Sequence, residues 1–325
     1  MRILPLFLVL TMLASSLSAQ QSFAKPDQRQ PAPWPPPAGE LRVIIDSDAA
    51  NEVDDQWAIA LALGFPERLK IEGFVAAHFG QRGGGKGIAK SRASLEATLT
   101  AAGLAEKFTL KNGSDPIVYR DRVPESEGVD FIIEKARAAT PEKPLWLVLL
   151  GPATDGAAAL LKAPDIADKV IVFWHGRSEW PEKCANFNAI NDPLATQLLF
   201  ELPCRFVLFD TGANLTMPMD ESERRVGSVG VLGKFLHDIR KPSAYASRAD
   251  KGMFDLGDIA ALIDPAGSCK WETAQAPSVR FDYRYDFKQT NGPLLRITTI
   301  DRDASFALLD QALARILKLS PSTKR

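Results

Sequence analysis

Five carboxylates lie within ten residues near the start of the chain: Asp46, Asp48, Glu52, Asp54 and Asp55. Like charges at this density raise each other's pKa values and cost stability unless a positive charge compensates them. No lysine or arginine stands in the run or in the ten residues after it. Hard divalent cations prefer oxygen ligands, and Ca²⁺ takes about six to eight of them. The run therefore predicts a Ca²⁺ site; the alternative is a solvated acidic loop that also caps a helix.

Other motifs that carry similar chemistry do not fit. An EF-hand calcium loop is excluded because Ala50 and Asn51 stand where that loop needs a ligand and a glycine. Phosphatases of the haloacid dehalogenase type also open with Asp-x-Asp after a strand, but that loose pattern leaves Asp54 and Asp55 without a role. The glycine-rich residues 81–87 lack the Lys-Ser/Thr ending of a phosphate-binding P-loop. No Gly-x-Ser-x-Gly motif indicates a serine hydrolase.

The acidic run lies between a predicted strand and a predicted helix. Residues 41–45 are short, apolar and partly β-branched, which predicts a buried strand, and residues 54–63 have a helical pattern. Strand and helix patterns then alternate, which predicts an α/β fold with a mainly parallel, Rossmann-like central sheet flanked by helices. In such sheets ligands bind beyond the carboxyl ends of the strands. This position favours a ligand site over a solvated loop.

The remaining predicted elements extend this alternation to the end of the chain. Further strands are predicted at residues 71–77, 145–150, 170–174, 206–209 and 294–300. Further helices are predicted at residues 90–102, 131–139, 192–200, 254–263 and 303–319, the last of them capped by Asp303. Residues 151–155 are predicted to form a turn that leads into an Ala-rich helix ending near Lys162.

Three segments are predicted along the chain. Residues 1–19 combine Arg2, an apolar stretch and a small-residue cleavage site, the pattern of a signal peptide. Residues 20–40 are polar and then proline-rich, which predicts an extended tether. No repeat or linker follows, so residues 41–325 are predicted to form one domain. We expect a periplasmic or secreted protein without membrane attachment after signal cleavage.

Composition and cysteine content exclude several classes of protein. A net charge of −1 gives no electrostatic footprint for nucleic acid. The three cysteines, Cys184, Cys204 and Cys269, match no zinc or redox spacing and allow at most one disulfide. The fold therefore does not depend on a disulfide framework.

Four collinear stretches resemble the nucleoside hydrolase family. Its first motif is a strand, Asp-x-Asp, a short loop and an Asp-Asp pair that opens a helix, and residues 46–58 are similar to it, with Asn51-Glu52 as a two-residue insertion. Residues 150–155 resemble the Gly-Pro-x-Thr-Asn turn of the family, residues 186–193 its Glu-Phe-Asn…Asp-Pro segment, and residues 254–260 its His-Asp-x-x-Ala-Val segment. The resemblance covers most of the chain, from about residue 41 to residue 263.

The resemblance implies both a ligand set and a reaction. The Ca²⁺ ligands would be the carboxylates of Asp48, Asp55 and Asp255 and the backbone carbonyl of Thr154. The reaction would be hydrolysis of an N-glycosidic bond in a nucleoside or related ribosyl compound. A water on the ion would be the nucleophile, and Asp48 would be its base. The substrate-binding residues would be Asp54, Asn51, Glu52, His78, Asn186 and Asn188.

Several positions depart from the family pattern and leave the substrate open. Phe254 stands where the family has a histidine linked to protonation of the leaving group. Asn186 stands in place of a glutamate that binds the far end of the sugar, and Asp155 in place of the asparagine after Thr154. The alternatives are a hydrolase of another small glycoside and a non-catalytic, Ca²⁺-dependent sugar-binding protein. A homo-oligomer is also left open.

The three histidines are interpreted by their place in the predicted elements. His78 and His175 each follow a predicted strand, so a role in the site and a purely structural role are both open for them. His237 lies within a helical stretch and is predicted to be structural.

Overall fold

The strands of the protein alternate with helices along most of the chain. The computed structural model describes residues 29–319, so the predicted signal peptide at residues 1–19 lies outside the described residues. The strands are β1 (Leu41–Ser47), β2 (Leu69–Ala76), β3 (Leu110–Asn112), β4 (Leu145–Leu149), β5 (Val170–His175), β6 (Arg205–Phe209), β7 (Cys269–Val279) and β8 (Tyr285–Ile300). The helices are α1 (Asp54–Leu63), α2 (Gly87–Ala101), α3 (Glu127–Arg137), α4 (Thr154–Lys162), α5 (Phe187–Asn191), α6 (Pro193–Glu201), α7 (Met219–Ser222), α8 (Gly230–Asp238), α9 (Leu256–Ile263), α10 (Pro265–Ser268) and α11 (Arg302–Leu319).

The eight strands form one sheet in the order β3-β2-β1-β4-β5-β6-β8-β7. All neighbours in this sheet are parallel except β7 and β8, which are antiparallel. The strand order reverses between β1 and β4, and a crevice forms at such a switch point outside the carboxyl ends of the strands. The predicted single α/β domain with a mainly parallel central sheet is confirmed.

Both faces of the sheet are buried under helices. Successive side chains of β1 point to opposite faces and so belong to different core clusters. Val43 and Ile45 pack on one face with apolar residues of α1, α9 and α11. Ile44 points to the other face and packs with residues of α3, α4 and α6. A strand covered on both faces has almost no polar positions, which explains the continuous apolar run that predicted β1. The molecule is thus a three-layer α/β/α structure.

Helix α1 carries two of the predicted site residues and begins and ends at the predicted bounds. All ten of its residues are buried, because it packs between the sheet and helices α9 and α11. Asp54 and Asp55 form its first turn, where unpaired backbone N–H groups favour negative charge. The core packing of α1 thereby holds both carboxylates at the crevice.

The carboxy-terminal part of the sheet differs from the prediction. Strand β7 was not predicted, and β8 begins nine residues earlier than expected, because the hairpin between them is largely exposed and lacks an apolar pattern. Helix α11 is capped by Asp301 rather than Asp303: the Ala304 backbone N–H donates to Asp301 Oδ1 at 2.8 Å. Residues 29–40 of the predicted tether have no helix or strand. Arg29 is nevertheless 2% exposed, and it donates to the carbonyl oxygens of Leu199 and Leu202.

The described part of the predicted tether is therefore packed on the domain. The Trp34 ring lies 6.3 Å from that of Trp146 and 6.0 Å from that of Phe173.

The three cysteines are buried and unpaired, so no disulfide joins them. None of the helices within residues 29–319 is long and apolar enough to cross a bilayer.

Candidate functional site

A cavity of about 230 Å³ lies at the carboxyl ends of β1, β4 and β5. The first turns of α1 and α5 and the residue that precedes α9 also line it. Eight of the ten predicted site residues line it: Asp48, Asn51, Glu52, Asp54, Asp55, Asn186, Asn188 and Asp255. Segments far apart in sequence therefore converge on one space, which we call the acidic cavity.

Three carboxylates in the acidic cavity are close enough to share one cation. Ligand oxygens of Asp54, Asp55 and Asp255 all lie within 4.8 Å of one another. Asp48 lines the same cavity, and its Oδ2 is buried without a hydrogen-bond partner. Burial and mutual repulsion raise the pKa of Asp55 to about 7 and the pKa values of Asp48 and Asp255 well above the usual range. Clustered, partly unpartnered oxygen ligands of this kind fit a hard divalent cation.

A buried lysine that the sequence reasoning missed supplies part of the compensating charge. The Lys251 side chain is fully buried, with Nζ 2.8 Å from Glu52 Oε2 and 3.2 Å from Asp54 Oδ1. Burial by itself lowers the pKa of Lys251, but the two acidic groups outweigh it and raise that pKa above the usual value. Lys251 is therefore charged, and a cation is not the only compensation for the acidic run.

Asp54 is held in place by two donors. Lys251 contacts its Oδ1, and the Phe254 backbone N–H donates to its Oδ2 at 3.1 Å. Both oxygens are thus oriented by the segment just before α9. Any sugar hydroxyl that binds Asp54 would use the remaining lone pairs of these oxygens.

A histidine–carboxylate pair borders the acidic cavity. His175 Nδ1 lies 2.7 Å from Asp258 Oδ2 and 3.3 Å from Asp255 Oδ1. Burial lowers the pKa of His175, but the Asp258 carboxylate outweighs burial and leaves the pKa above its ordinary value. The three residues also form a second group able to hold an ion. Asp258 was not predicted, although its spacing of three residues from Asp255 in a helical pattern could have indicated it.

The two predicted asparagines brace the loops around the acidic cavity. Asn186 caps α5, since its Oδ1 accepts the Ala189 backbone N–H at 2.9 Å. Asn188 Nδ2 donates to the carbonyl oxygens of Leu150 at 2.7 Å and His175 at 3.0 Å. These bonds tie α5 to the ends of β4 and β5, so both side chains shape the cavity that they line.

His78 and Thr154 do not line the acidic cavity. Thr154 donates its hydroxyl to Asp192 Oδ2 at 2.8 Å, and His78 Nε2 lies 2.7 Å from the same hydroxyl. His78 Nδ1 accepts the Gly80 backbone N–H at 3.0 Å. Burial lowers the pKa of His78 to about 4, so its imidazole is neutral. His78 borders a larger neighbouring groove instead, and the carbonyl role of Thr154 stays a prediction.

Asp155, one of the departures from the family pattern, lies behind the acidic cavity. Its Oδ1 accepts the Ser114 backbone N–H at 2.7 Å, and the Asp46 carboxyl lies next to it. Burial raises the pKa of Asp155 to about 7 and that of Asp46 well above its usual range. Both carboxyl groups are therefore harder to ionise than an ordinary aspartate.

Comparisons with known proteins give a family, from a family model, and a fold, from solved structures. The family model described as inosine-uridine preferring nucleoside hydrolase matches residues 43–283. No curated protein sequence matches the chain significantly. Among solved structures, a plant nucleoside hydrolase has a TM-score of 0.66 at 21% identity and covers 84% of this chain and 98% of its own.

Two further solved structures share the fold. A purine-preferring ribonucleoside hydrolase from Gardnerella vaginalis has a TM-score of 0.69 at 21% identity, over 86% of this chain and 100% of its own. The type III effector protein XopQ, in complex with adenosine diphosphate ribose, has a TM-score of 0.63 at 15% identity, over 86% and 95%. At these identities the likeness shows the fold alone.

Proposed function

Because the chain belongs to the inosine-uridine preferring nucleoside hydrolase family, we propose that it hydrolyses the N-glycosidic bond of a nucleoside or related ribosyl compound with the help of Ca²⁺. The observation that carries this proposal is the convergence of Asp48, Asp55 and Asp255 on one cavity at the switch point of the sheet. The complex of XopQ with adenosine diphosphate ribose supports a ribosyl substrate, because it shows a similar fold with a ribosyl compound.

The ion would be held by the carboxylates of Asp48, Asp55 and Asp255, with the Thr154 carbonyl as a fourth protein ligand. The oxygen-only donor set and the unpartnered Asp48 Oδ2 favour Ca²⁺ over softer metals. When bound, the ion offsets the negative charge of the acidic cavity and makes a water in its neighbourhood more acidic.

The residues of the chain then have distinct tasks. Asp48 accepts the proton of the attacking water, since one of its oxygens has no other partner. Asp54, oriented by Lys251 and by the Phe254 backbone, accepts sugar hydroxyls. The carboxylate-rich wall stabilises the positive charge that develops on the sugar in an oxocarbenium-like transition state.

Replacing Asp48 with asparagine tests the assigned base. We expect Asp48→Asn to lower kcat by about 10³-fold, because an amide cannot accept the proton. Release of free base and of reducing sugar would be measured across a nucleoside panel, with Ca²⁺ and with a chelator. The matched control is Asp121→Asn, an exposed carboxylate outside the acidic cavity. Wild-type turnover in Asp48→Asn would contradict the assignment.

The second candidate function is Ca²⁺-dependent sugar binding without catalysis, which Phe254 favours because it cannot protonate a leaving group. Under that function, nucleosides raise the melting temperature of the wild-type protein but no base is released.

We also propose that the protein acts outside the cytoplasm, supported by the export pattern of residues 1–19. Fractionation of cells that express the full chain tests this. Recovery of the uncleaved protein in the cytoplasmic fraction would contradict it.

A further inference from the structure

His175 is the last residue of β5 and lines the acidic cavity. The residue is only 8% exposed. Its Nδ1 lies 2.7 Å from Asp258 Oδ2 and 3.3 Å from Asp255 Oδ1, so two carboxylates hold this edge of the ring. The Nε2 atom lies on the other edge of the ring, away from these carboxylates.

The Nε2 atom of His175 has no hydrogen-bond partner within residues 29–319. Unlike Asp258 Oδ1, it is not sealed from solvent. Because His175 lines the acidic cavity, we take Nε2 to face that space. A nitrogen on a buried side chain that has no partner in the protein is available to a ligand.

Asn188 presents a second atom of this kind. Its Nδ2 donates to the carbonyl oxygens of Leu150 and His175. Carbonyl oxygens only accept, so these bonds fix the orientation of the amide and turn Oδ1 away from the two carbonyls. Oδ1 accepts no hydrogen bond from the part of the chain that the structure describes, and Asn188 lines the same cavity. One wall thus offers two unused polar atoms on residues that are bonded to each other.

Hydroxyl groups match both of these atoms. Asn188 Oδ1 can only accept a hydrogen bond, whereas Nε2 of a histidine can donate or accept one. A hydroxyl both donates and accepts, so it pairs with either atom. A sugar carries several hydroxyls on one ring, and one sugar molecule can therefore contact both atoms.

We propose that His175 is a substrate-binding residue whose Nε2 forms a hydrogen bond with a hydroxyl of the ribosyl unit. The proposal rests on the proposed function, because it takes the acidic cavity as the ribosyl site. Asp258 is the positioning residue, since its carboxylate holds Nδ1 and so sets the direction of Nε2. An analogue without the partner hydroxyl should bind more weakly, because a buried polar atom then has no partner.

Two substitutions at His175 separate the two edges of the ring. His175→Asn keeps an amide near the place of Nδ1, where it can donate to Asp258, but has no atom at the place of Nε2. His175→Gln reaches the place of Nε2. We expect His175→Asn to lower kcat/KM on a nucleoside by about 10- to 100-fold, and His175→Gln to restore part of that loss.

Nucleoside analogues that lack the 2′, 3′ or 5′ hydroxyl identify the partner of His175. For one of them, His175→Asn should change kcat/KM by less than about twofold, since the hydroxyl that His175 binds is already absent. The inhibition constant replaces kcat/KM for an analogue that is not hydrolysed. An equal loss on the nucleoside and on all three analogues overturns the inference, because a purely structural role or a contact with water weakens every substrate alike.

A binding measurement separates this inference from the proposed function. If no nucleoside is hydrolysed, the proposed hydrolase function fails. Ribose should still raise the melting temperature of the Ca²⁺-supplemented wild-type protein more than that of His175→Asn. No shift in the wild type, or the same shift in both proteins, overturns the inference. A loss of the Ca²⁺-induced shift in His175→Asn with an unchanged ribose response would assign His175 to the ion and overturn it too.

The matched control is His237→Asn, which changes another buried histidine. Nδ1 of His237 also has a partner, Ser222 Oγ at 2.9 Å. His237 lies in α8 and does not line the acidic cavity. His237→Asn should respond to ribose and to the nucleoside analogues like the wild type, and a response like that of His175→Asn would overturn the inference.

Discussion

Lys251 shows how a single residue changes the electrostatics of the acidic cavity. Its Nζ lies between Glu52 and Asp54, and both acids are partly or fully removed from water. A buried charge that loses its partner costs more than the pair contributes, because the remaining group cannot regain water. Lys251 therefore permits a dense acidic loop to fold before any ion binds.

Replacing Lys251 tests this role. Lys251→Met should lower the free energy of unfolding by about 3 kcal/mol in the presence of a chelator, because Glu52 and Asp54 lose their buried partner. Added Ca²⁺ should recover part of the loss, since its charge substitutes for the ammonium. Urea unfolding measured with chelator and with Ca²⁺ provides both values.

The control for Lys251→Met is Lys234→Met, which removes an exposed ion pair with Asp238. Surface pairs of this kind contribute little, so the control should unfold like the wild type. The same unfolding curve for both variants would show that Lys251 does not compensate the acidic loop.

At the scale of elements, the site depends on how tightly α1 packs. Its first turn presents Asp54 and Asp55, and its last turn meets α11 at Gly64. A Cβ at Gly64 would overlap both the Cβ and the Cα of Ala312. The two helices can be this close because neither residue at the crossing has a larger side chain.

Gly64→Ala is expected to destabilise the protein. The backbone at Gly64 has φ of −79°, which alanine adopts without strain, so the cost comes from separating α1 and α11. We expect a loss of about 2–3 kcal/mol in the free energy of unfolding, measured in urea, as for other overpacked sites.

Gly83→Ala is the control, because its nearest neighbour would be the Phe79 ring at 3.8 Å, an ordinary contact. Unchanged stability in Gly64→Ala would show that the contact between α1 and α11 adapts.

At the scale of the whole molecule, stability is linked to pH and to the ion. The pKa values of Asp55 and Asp155 are raised by burial to about 7 in the folded protein, from an ordinary value of 3.8. A raised pKa means that the folded state binds the proton more tightly than the unfolded chain does. The stabilisation that the folded state gains by binding these two protons is complete below the ordinary pKa of 3.8. It is lost as the pH rises through the folded-state pKa of about 7.

The melting temperature should therefore depend on both the pH and Ca²⁺. In chelator it should fall between about pH 5 and about pH 8, as the two carboxyls ionise. The increase in melting temperature caused by Ca²⁺ should be larger at about pH 8, since ionised carboxylates bind the cation better. Asp55→Asn should remove most of the Ca²⁺ effect. A Ca²⁺ effect that does not grow with pH would contradict the linkage.

Local pattern determined much of the fold and part of the site. The apolar run of β1 and the helical pattern of α1 predicted both elements, because burial on both faces selects a continuous apolar run and a strand is followed by a helix in this class of sheet. The exposed hairpin of β7 and β8 was missed, since exposed strands have no apolar periodicity. The acidic run itself predicted a site after β1.

Only the tertiary structure decided how the charges of that site are balanced. Lys251 lies about 200 residues from Glu52 in the chain, and nothing in its local surroundings marks it as buried between two acids. The same is true of the pairing of His175 with Asp258. Periodicity and spacing report which residues share an element. Electrostatic compensation depends on distances through space, and these exist only after the segments have packed together.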